Sequence, residues 1–410
     1  MTDHLSAHEH AAPMQAGATG PLQGIRILDL THALAGPFGG MFLADLGADV
    51  IKVEPPGGEV VRYAGPFTLD DEERRYGARF ANRNRNKRSI ALDLADAADR
   101  ELFLELVETA DGLIENMRAG VLDRLGVGWE VLHQRNPRLV YAAVRGFGDP
   151  RTGNSPYAEW PAYDAIAQAM GGMVAATGPD EHNPMRVGPA VGDTVPGLMG
   201  AFGLLAAIVH AQRTGEGQFV DVAMVDSIMS LCEGSQMLYS YMGRAMKPRG
   251  NAVEGISPFD IYPTADGHCA VAAPTERHWP LLCEAIGRPD LVDDERTRNN
   301  RMRIRNKAVV DEAIGGWAAQ LTTAEVMAAL GDKVPVGPVY EAKDWVEDPH
   351  VAAREMLVRI DHEHHRPTVQ LNCPIKFTAT PAGIYRRPSA LDEHGDEIRA
   401  ELAKRRAERS

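Results

Sequence analysis

The sequence predicts an α/β protein with a Rossmann-like, doubly wound large domain and a smaller α+β domain. Short apolar strands alternate with helices over the first 150 of 410 residues, which is typical of a parallel sheet covered by helices on both faces. A long apolar helix rich in glycine and alanine follows at 193–212. Beyond 257, a hairpin and then polar helices replace the alternation, which indicates a second, mixed α and β layer.

The elements of the large domain follow one another in a regular order. IRILDL (25–30) is a buried strand, and FGGMFLADLGA (38–48) is a short helix after the loop THALAGP. The strand DVIKVE ends at Pro55 and Pro56, which cannot continue a hydrogen-bonded ladder. Further strands at 89–94, 111–117 and 138–147 alternate with helices at 96–110 and 129–137. These are βαβ units, and they predict a parallel sheet.

The second half of the chain shows a different pattern of predicted elements. It begins with a strand at 218–226, a helix at 226–243 and a basic loop at 243–257. A hairpin follows, with ADG (265–267) as its turn, and then a helix. The chain ends with polar helices at 288–330, a strand at 334–340 and a charged terminal helix. We therefore expect a disordered tail at 1–20 and a large Rossmann-like binding domain at 21–225. A linker helix and small domain occupy 226–332, and 333–410 returns to the large domain.

Composition narrows the class of partner and the compartment. The formal net charge of −14 argues against nucleic acid or an anionic membrane as the main partner. The four cysteines show no CxxC spacing, which indicates free thiols in a reducing compartment. The N-terminus lacks the apolar core of a signal peptide, and we expect no apolar run of about 18 residues. These features predict a cytoplasmic protein.

Several familiar sites are absent from the sequence. The first βα turn lacks GxGxxG, so a nicotinamide enzyme is disfavoured. Neither GxSxG nor HExxH occurs. Two histidine groups are expected to be solvated surface rather than metal ligands, because neither has a spacing that converges on an ion. They are His4, His8 and His10 in the tail, and His362, His364 and His365 in a charged strand.

Basic residues near strand ends are candidates for phosphate binding. The run NRNRNKR (82–88) precedes a strand in an acidic chain, and it is either a phosphate site or a solvated charge run. Arg118, Arg124 and Arg145 follow strands, at the edge where open α/β sheets bind ligands. Gly36-Pro37 opens a helix, whose free N–H groups favour an anion or a polarised carbonyl.

Four carboxylates stand near helix ends or loops. Asp164 is interpreted as a helix-capping acid, and Asp193 is either a cap or a second candidate for function. Asp180 and Glu181 lie between TGP and HNP, with no regular element to cap. Because loops carry function disproportionately, these two acids are the first candidates for catalysis, with an exposed turn as the alternative.

Nine segments between residues 21 and 230 resemble, in order, those of class III CoA-transferases, the group that includes formyl-CoA:oxalate and L-carnitine CoA-transferases. They are LQGIRILDLTHALAGP, GADVIKVEPPGGE, NRNKRSIALDL, IENMRAGVLDRLG, VRGFG, YDAIAQAMGG, TGPDEHNPMRVG, GDTVPG and TGEGQFVDVAMVD. The C-terminal part matches through RGN, YPTADG and VPVGPV. One departure is Pro55, where relatives often carry a basic residue.

The resemblance implies an interlocked homodimer of two ring-like chains, each threaded through the other. It implies coenzyme A as a substrate group, with no permanently bound cofactor and no metal. The CoA contacts that it implies are the backbone near Leu34 and Ala35, together with Asn86, Lys87, Arg88, Asn116, Met117, Arg124 and Arg145.

The resemblance also implies a nucleophilic aspartate in a TGxxD loop, which forms an acyl anhydride and then a CoA thioester. An ungapped alignment places Glu181 there, and a shift of one residue places Asp180 there. Some relatives racemise 2-methylacyl-CoA with a His and an Asp. Here Tyr163 stands at the position of that His, and Asp193 matches the acid. A phenol with a pKa of about 10 carries protons poorly at neutral pH, so a racemase, like a non-catalytic CoA-binding protein, is an alternative.

Overall fold

The computed structural model describes residues 10–409, which form two compact units. The first unit comprises the chain up to Val174, Arg186–Ala245 and everything from Val346 onward. The second comprises Ala175–Met185 and Met246–Trp345. The predicted boundaries at 226 and 333 therefore move to 246 and 346. The reason at the second boundary is that the strand Val336–Pro338 pairs with the hairpin of the second unit.

The first unit contains a parallel six-stranded sheet in the order β3-β2-β1-β4-β5-β6. All six strands are parallel, which confirms the predicted parallel sheet. The order in which the chain adds strands reverses between β1 and β4, and this is where doubly wound folds bind ligands. Strands β1 to β5 are almost wholly buried because helices cover both faces of the sheet. The six strands are β1 Arg26–Leu30, β2 Asp49–Glu54, β3 Arg88–Ala91, β4 Gly112–Glu115, β5 Val140–Arg145 and β6 Phe219–Ala223.

Helices lie on both faces of this sheet. The first unit also contains a short antiparallel pair of strands. One face packs Phe103, Leu106, Ile398 and Leu402 into a single apolar cluster. The helices are α1 Ala35–Asp45, α2 Ala78–Asn84, α3 Ala97–Val107, α4 Val121–Arg124, α5 Trp129–Arg135, α6 Asp164–Met170, α7 Met173–Ala176, α8 Val191–Thr214, α9 Met224–Leu231, α10 Glu233–Met242, α15 Pro349–Ala353 and α16 Gly395–Arg409. A 3-10 turn spans Val60–Tyr63, and β10 Leu357–Ile360 pairs with β11 Thr368–Leu371.

Helices α1 and α8 touch on the other face through glycine. A Cβ atom on Gly197 would lie 2.0 Å from the Ala35 carbonyl oxygen, and one on Gly39 would lie 2.3 Å from the Gly197 carbonyl oxygen. Only glycine fits at these two positions, because the obstacles are backbone atoms that cannot rotate away. The contact brings the start of α8 against the loop that precedes α1.

Helix α8 corrects the expectation that no apolar run reaches the length of a membrane span. Its 24 residues contain a window with a mean hydropathy of 1.6, which is long and apolar enough by composition. Leu204 and Ile208 are buried in the core with Ile114 and Val140. The helix is therefore a core element of the first unit.

The second unit is an antiparallel sheet with helices, as the predicted hairpin and polar helices indicate. Its strand order is β7-β8-β9, from Phe259–Pro263, His268–Ala272 and Val336–Pro338. Trp279, Leu282, Ile314 and Leu330 form its buried core. The helices are α11 His278–Ala285, α12 Asn300–Arg305, α13 Lys307–Ala318 and α14 Thr323–Leu330, with a 3-10 turn at Pro289–Leu291.

The N-terminal segment is only partly a tail. Ala12 bridges to Val358, and the Gln15 backbone N–H donates to the Ile384 carbonyl at 2.8 Å. The predicted disorder of 1–20 is therefore wrong for 10–20, because this stretch pairs with chain more than 300 residues away. Residues 1–9, which include His4 and His8, lie outside the described residues.

Candidate functional site

A cavity of about 230 Å³ lies at the carboxyl ends of β1, β4 and β5, where the strand order reverses. Three loops that follow these strands supply most of its wall, at 32–35, 116–119 and 144–146. Segment 158–163 and the first turn of α8 complete it. This is the position at which open α/β sheets bind their ligands.

The loop before α1 is fixed by hydrogen bonds to its backbone. Asn116 Oδ1 accepts from the His32 N–H at 2.7 Å, and Asn116 Nδ2 donates to the His32 carbonyl at 2.9 Å. Glu59 accepts from the Ala33 N–H at 2.8 Å, and Ala33 adopts a φ of 62°. Leu34 and Ala35 therefore present their backbone to the cavity at the start of a helix that no side chain caps.

A buried network of charges lies beneath that loop. Lys52 Nζ is 3.6 Å from a carboxylate oxygen of Asp29 and 3.6 Å from one of Glu59. Lys87 Nζ is 2.7 Å from Asp29. Burial lowers the pKa of Lys87 to about 8, although Asp29 opposes this effect. Because breaking one partner of a buried pair leaves an uncompensated charge, this network rigidly supports the loop above it.

The basic run at 85–88 takes part in folding through its side chains. Asn86 donates to Asp45 at 2.8 Å, and Arg88 binds Asp49 at 2.7 Å. Asn86 and Lys87 are each 1% exposed and Arg88 is 5% exposed, so their side chains already have internal partners. These side chains are therefore not a solvated charge run, and the expected contact of Asn86, Lys87 and Arg88 with CoA stays a prediction.

Of the other expected CoA contacts, the structure brings five to the cavity. They are Leu34, Ala35, Asn116, Met117 and Arg145.

The cations near this cavity differ in whether a carboxylate already balances their charge. Arg145 is 7% exposed and binds Glu115 at 2.5 Å as well as Asp149. Its charge is therefore balanced by buried carboxylates. Arg118 lines the cavity with an exposed side chain, and Arg124 is exposed at the end of α4. These two are the cations available to an anionic ligand.

Asp180 and Glu181 belong to the second unit, whereas every residue that lines the cavity belongs to the first. Asp180 is exposed, and it accepts from the His182 N–H at 2.8 Å and from Asn183 Nδ2 at 2.9 Å. These hydrogen bonds hold the pKa of Asp180 below its usual value. Glu181 is exposed and paired with Lys247. Both acids have the contacts of a surface turn, and their catalytic role stays a prediction.

Asp193 is the carboxylate that lines the cavity. It lies in the first turn of α8, but Asp164 caps this turn by accepting from the Gly192 N–H at 2.8 Å. Burial, reinforced by the Asp164 carboxylate and opposed by Arg83, raises the pKa of Asp193 to about 6. Asp193 is thus a half-buried carboxylate that no helix end uses. The sequence ranked it second because GDTVPG reads equally well as a cap.

The contacts of Asp164 and Tyr163 differ in part from those that the sequence predicts. Asp164 does cap a helix, but the helix is α8 rather than its own α6. Tyr163 lines the cavity with a side chain that is 72% exposed.

The histidine groups show no metal site within residues 10–409. The three expected surface histidines instead pack around Tyr76, with ring centroids 4.4 Å away for His362, 5.7 Å for His364 and 5.2 Å for His365. Burial lowers the pKa of His362 to about 4. The expectation of a solvated strand is therefore wrong for His362, because the chain after β10 folds back onto an aromatic ring.

The cysteines agree with the expectation of free thiols. Cys269, Cys283 and Cys373 are buried, Cys232 is half-buried, and all four are unpaired.

The chain is similar to proteins of known activity along almost its whole length. The CoA-transferase family III profile matches residues 22–395. A succinyl-CoA:mesaconate CoA-transferase of Haloarcula hispanica is 43% identical over 92% of this chain and 96% of the relative. A succinate–glutarate CoA-transferase of Agrobacterium fabrum is 38% identical over 93% of this chain and 96% of the relative.

A third relative and a solved structure extend the comparison. A formyl-CoA:oxalate CoA-transferase of Streptomyces avermitilis is 34% identical over 93% of this chain and 95% of the relative. A CAIB/BAIF family protein from Brucella suis superposes with a TM-score of 0.83 at 36% identity, over 94% of this chain and 100% of that one.

Proposed function

The chain belongs to CoA-transferase family III and is a CoA-transferase, and we propose that Asp193 is the nucleophile that carries CoA from an acyl-CoA donor to a carboxylic acid acceptor. One observation carries this proposal. Asp193 is a half-buried carboxylate with a pKa raised to about 6, and it lines the cavity at the switch point of the sheet. A raised pKa makes a carboxylate a better nucleophile, while at pH 7.5 it remains mostly ionised.

The reaction proceeds by four exchanges at carbonyl carbons. A carboxylate oxygen of Asp193 attacks the thioester carbonyl, the C–S bond breaks, and an acyl–aspartyl anhydride and CoA thiolate form. The thiolate attacks the aspartyl carbonyl, which releases the first acid and leaves CoA as a thioester on Asp193. The acceptor carboxylate attacks this thioester to form a second anhydride and free thiolate. The thiolate then attacks the acceptor acyl carbon, which yields the new acyl-CoA and frees Asp193.

The surrounding residues supply binding and charge stabilisation. The first N–H groups of α1, at Ala35 and Gly36, stabilise the developing oxyanion, because no side chain occupies this helix end. Loss of one such donor typically lowers the rate by about 10²- to 10³-fold. Arg118, which is exposed in the cavity wall, and Arg124, which is exposed at the end of α4, bind the CoA phosphates. Leu34, Asn116 and Met117 line the path of the pantetheine arm.

Shielding from water favours Asp193 over the two acids that the sequence ranked first. An acyl anhydride hydrolyses readily, so its site must exclude water. The side chains of Asp180 and Glu181 are exposed within the second unit, whereas Asp193 is half-buried in the cavity wall. We keep Asp180 and Glu181 as the alternative nucleophiles that the experiment below separates from Asp193.

The names of the relatives suggest the donor to test first. Those from Haloarcula hispanica and Agrobacterium fabrum use succinyl-CoA or succinate in their names. Succinyl-CoA with mesaconate or glutarate is therefore the first pair for this chain.

The chain is proposed to work as an interlocked homodimer in the cytoplasm. Helices α9 and α10 expose large apolar side chains, including Met229 at 55%, Tyr239 at 69% and Tyr241 at 87%. Exposed apolar groups that cluster on neighbouring helices are typical of subunit interfaces. The four free thiols support a reducing compartment.

The nucleophile is tested by trapping and by mutation. The protein is incubated with succinyl-CoA, treated with hydroxylamine, and mapped by mass spectrometry. We expect the modification on Asp193 and a loss of CoA transfer of at least about 1000-fold in Asp193→Asn. Asp180→Asn and Glu181→Gln serve as matched charge-removal controls, and both should retain transfer.

Two results would contradict this assignment. Modification of Asp180 or Glu181, with full activity in Asp193→Asn, would restore the sequence-based prediction. Exchange of the α-proton of a 2-methylacyl-CoA, without any acceptor acid, would favour the racemase alternative instead.

A further inference from the structure

A second cavity, of about 510 Å³, adjoins the first. Leu34 is the residue that lines both cavities. The wall of the second cavity is mainly apolar, with Phe38, Met41 and Phe42 from α1 and Leu371 from β11. Such a lining suits a short hydrocarbon chain rather than a nucleotide.

The first turn of α8 contributes to the walls of both cavities. Asp193 lines the first, while Ala190 and Thr194 line the second. The three are held in one turn, because the Ala190 carbonyl accepts from the Asp193 N–H at 3.1 Å and from the Thr194 N–H at 2.9 Å. Asp193 and two residues in the wall of the second cavity therefore lie within the short stretch 190–194.

Arg83 is a cation in the wall of the second cavity. It lies in the last turn of α2, is half-buried, and its Nη1 donates to the Ala33 carbonyl at 3.2 Å. Within residues 10–409 no carboxylate forms an ion pair with it. Arg85, two residues on, instead binds Asp45 at 2.7 Å. The Arg83 charge is thus sheltered from water, and it keeps hydrogen-bonding capacity for a ligand.

Burial without a carboxylate partner has an energetic consequence. It lowers the pKa of Arg83, and the more distant Asp193 carboxylate only partly opposes this effect. A guanidinium in this state gains from a bidentate carboxylate, because the pair restores the hydrogen bonds that burial removed.

We propose that the second cavity holds the acyl chain of the donor and, in turn, the acceptor acid, and that Arg83 binds the distal carboxylate of a short-chain dicarboxylic acid. This inference rests on the proposed function, and it names the substrate class of that site. The apolar wall contacts the methylene groups between the two carboxyl carbons. One carboxyl group reacts at Asp193 while the other is fixed at Arg83, so the acid is held at both ends.

The test compares two donors of equal carbon number, succinyl-CoA and butyryl-CoA, with glutarate as acceptor. Arg83→Met should lower kcat/KM for succinyl-CoA by about 10- to 100-fold relative to that for butyryl-CoA, as expected for the loss of a charged hydrogen bond. Arg83→Lys keeps the charge without the planar fork, and it should give an intermediate ratio. Arg79→Met is the matched control, because Arg79 is exposed one turn earlier on the same helix.

The outcomes separate this inference from the proposed function. If Arg83→Met lowers the values for both donors equally, Arg83 acts only through the field at Asp193 and the dicarboxylate subsite is overturned. The same holds if Arg79→Met changes the ratio as much as Arg83→Met. If the wild-type enzyme transfers CoA from neither donor to any acid, the proposed function fails, independently of Arg83. Should Arg83→Met fail to fold, the ratio in Arg83→Lys decides.

Discussion

Replacing Asp193 with Asn should make the protein more stable at neutral pH while removing its activity. Burial and the neighbouring Asp164 carboxylate raise the pKa of Asp193 from 3.8 to about 6. The folded state therefore holds the proton more tightly than the unfolded state does. For such a group the stability is complete below the unfolded pKa and is lost as the pH rises through the folded pKa. The destabilisation by ionised Asp193 therefore develops as the pH rises from 3.8 to about 6 and is complete above that range.

The size of this effect follows from the pKa change. A rise from 3.8 to about 6 corresponds to about 3 kcal/mol at pH 8, using 1.36 kcal/mol per pH unit. Because the side chain keeps partial contact with water, we expect Asp193→Asn to gain about half of that, or about 1.5 kcal/mol. At pH 5 the folded state still holds the proton on Asp193. The stability gained by Asp193→Asn is therefore only about half of the gain at pH 8.

The assay is urea unfolding of the wild type and the variant at pH 8 and pH 5, at one fixed protein concentration because subunit association contributes to stability. Asp180→Asn is the control, since hydrogen bonds lower the pKa of this exposed acid, and its replacement should stabilise the protein at neither pH. The reasoning is refuted if Asp193→Asn shows no gain at pH 8, or the same gain at both pH values.

Two further predictions concern the support of the site. Gly197→Ala should destabilise the protein by about 1–3 kcal/mol and lower CoA transfer, because its Cβ would lie 2.0 Å from the Ala35 carbonyl oxygen. Gly316→Ala, a helical glycine with open space around it, should not destabilise, and thermal unfolding compares the two. Asn116→Ala should remove both hydrogen bonds to the His32 backbone, costing about 1–3 kcal/mol. It should also weaken CoA binding, measured by calorimetry.

The parallel sheet and the positions of its strands could be predicted from the sequence because each strand is a short apolar run between helices. The six strands lie within a few residues of their predicted positions, and the hairpin at 265–267 joins β7 and β8 as expected. The domain boundaries were harder to predict. Strand β9 reads like a return to the large sheet, and only its pairing with β8 assigns it to the second unit.

The site was harder to predict than the fold, because the decisive contacts join residues far apart in the chain. The run at 85–88 looks like a phosphate site in sequence, yet Arg88 binds Glu401, which lies 313 residues later. Asp193 looks like a helix cap, and only the bond from Gly192 to Asp164 shows that another residue has this role. The lone cation Arg83 differs from Arg85 only through a carboxylate on another helix.

The glycine contact between α1 and α8 leaves the start of α8, which carries Asp193, and the loop at 32–35 little room to adjust. Gly39 and Gly197 bring two backbones together without any side chain between them, so substitution there cannot retune the distance in small steps. A change in the accepted acid is therefore expected to come from the cavity walls contributed by α2 and β11. Enzyme engineers who wish to change the accepted acid should leave the helix crossing intact and randomise the opposite rim.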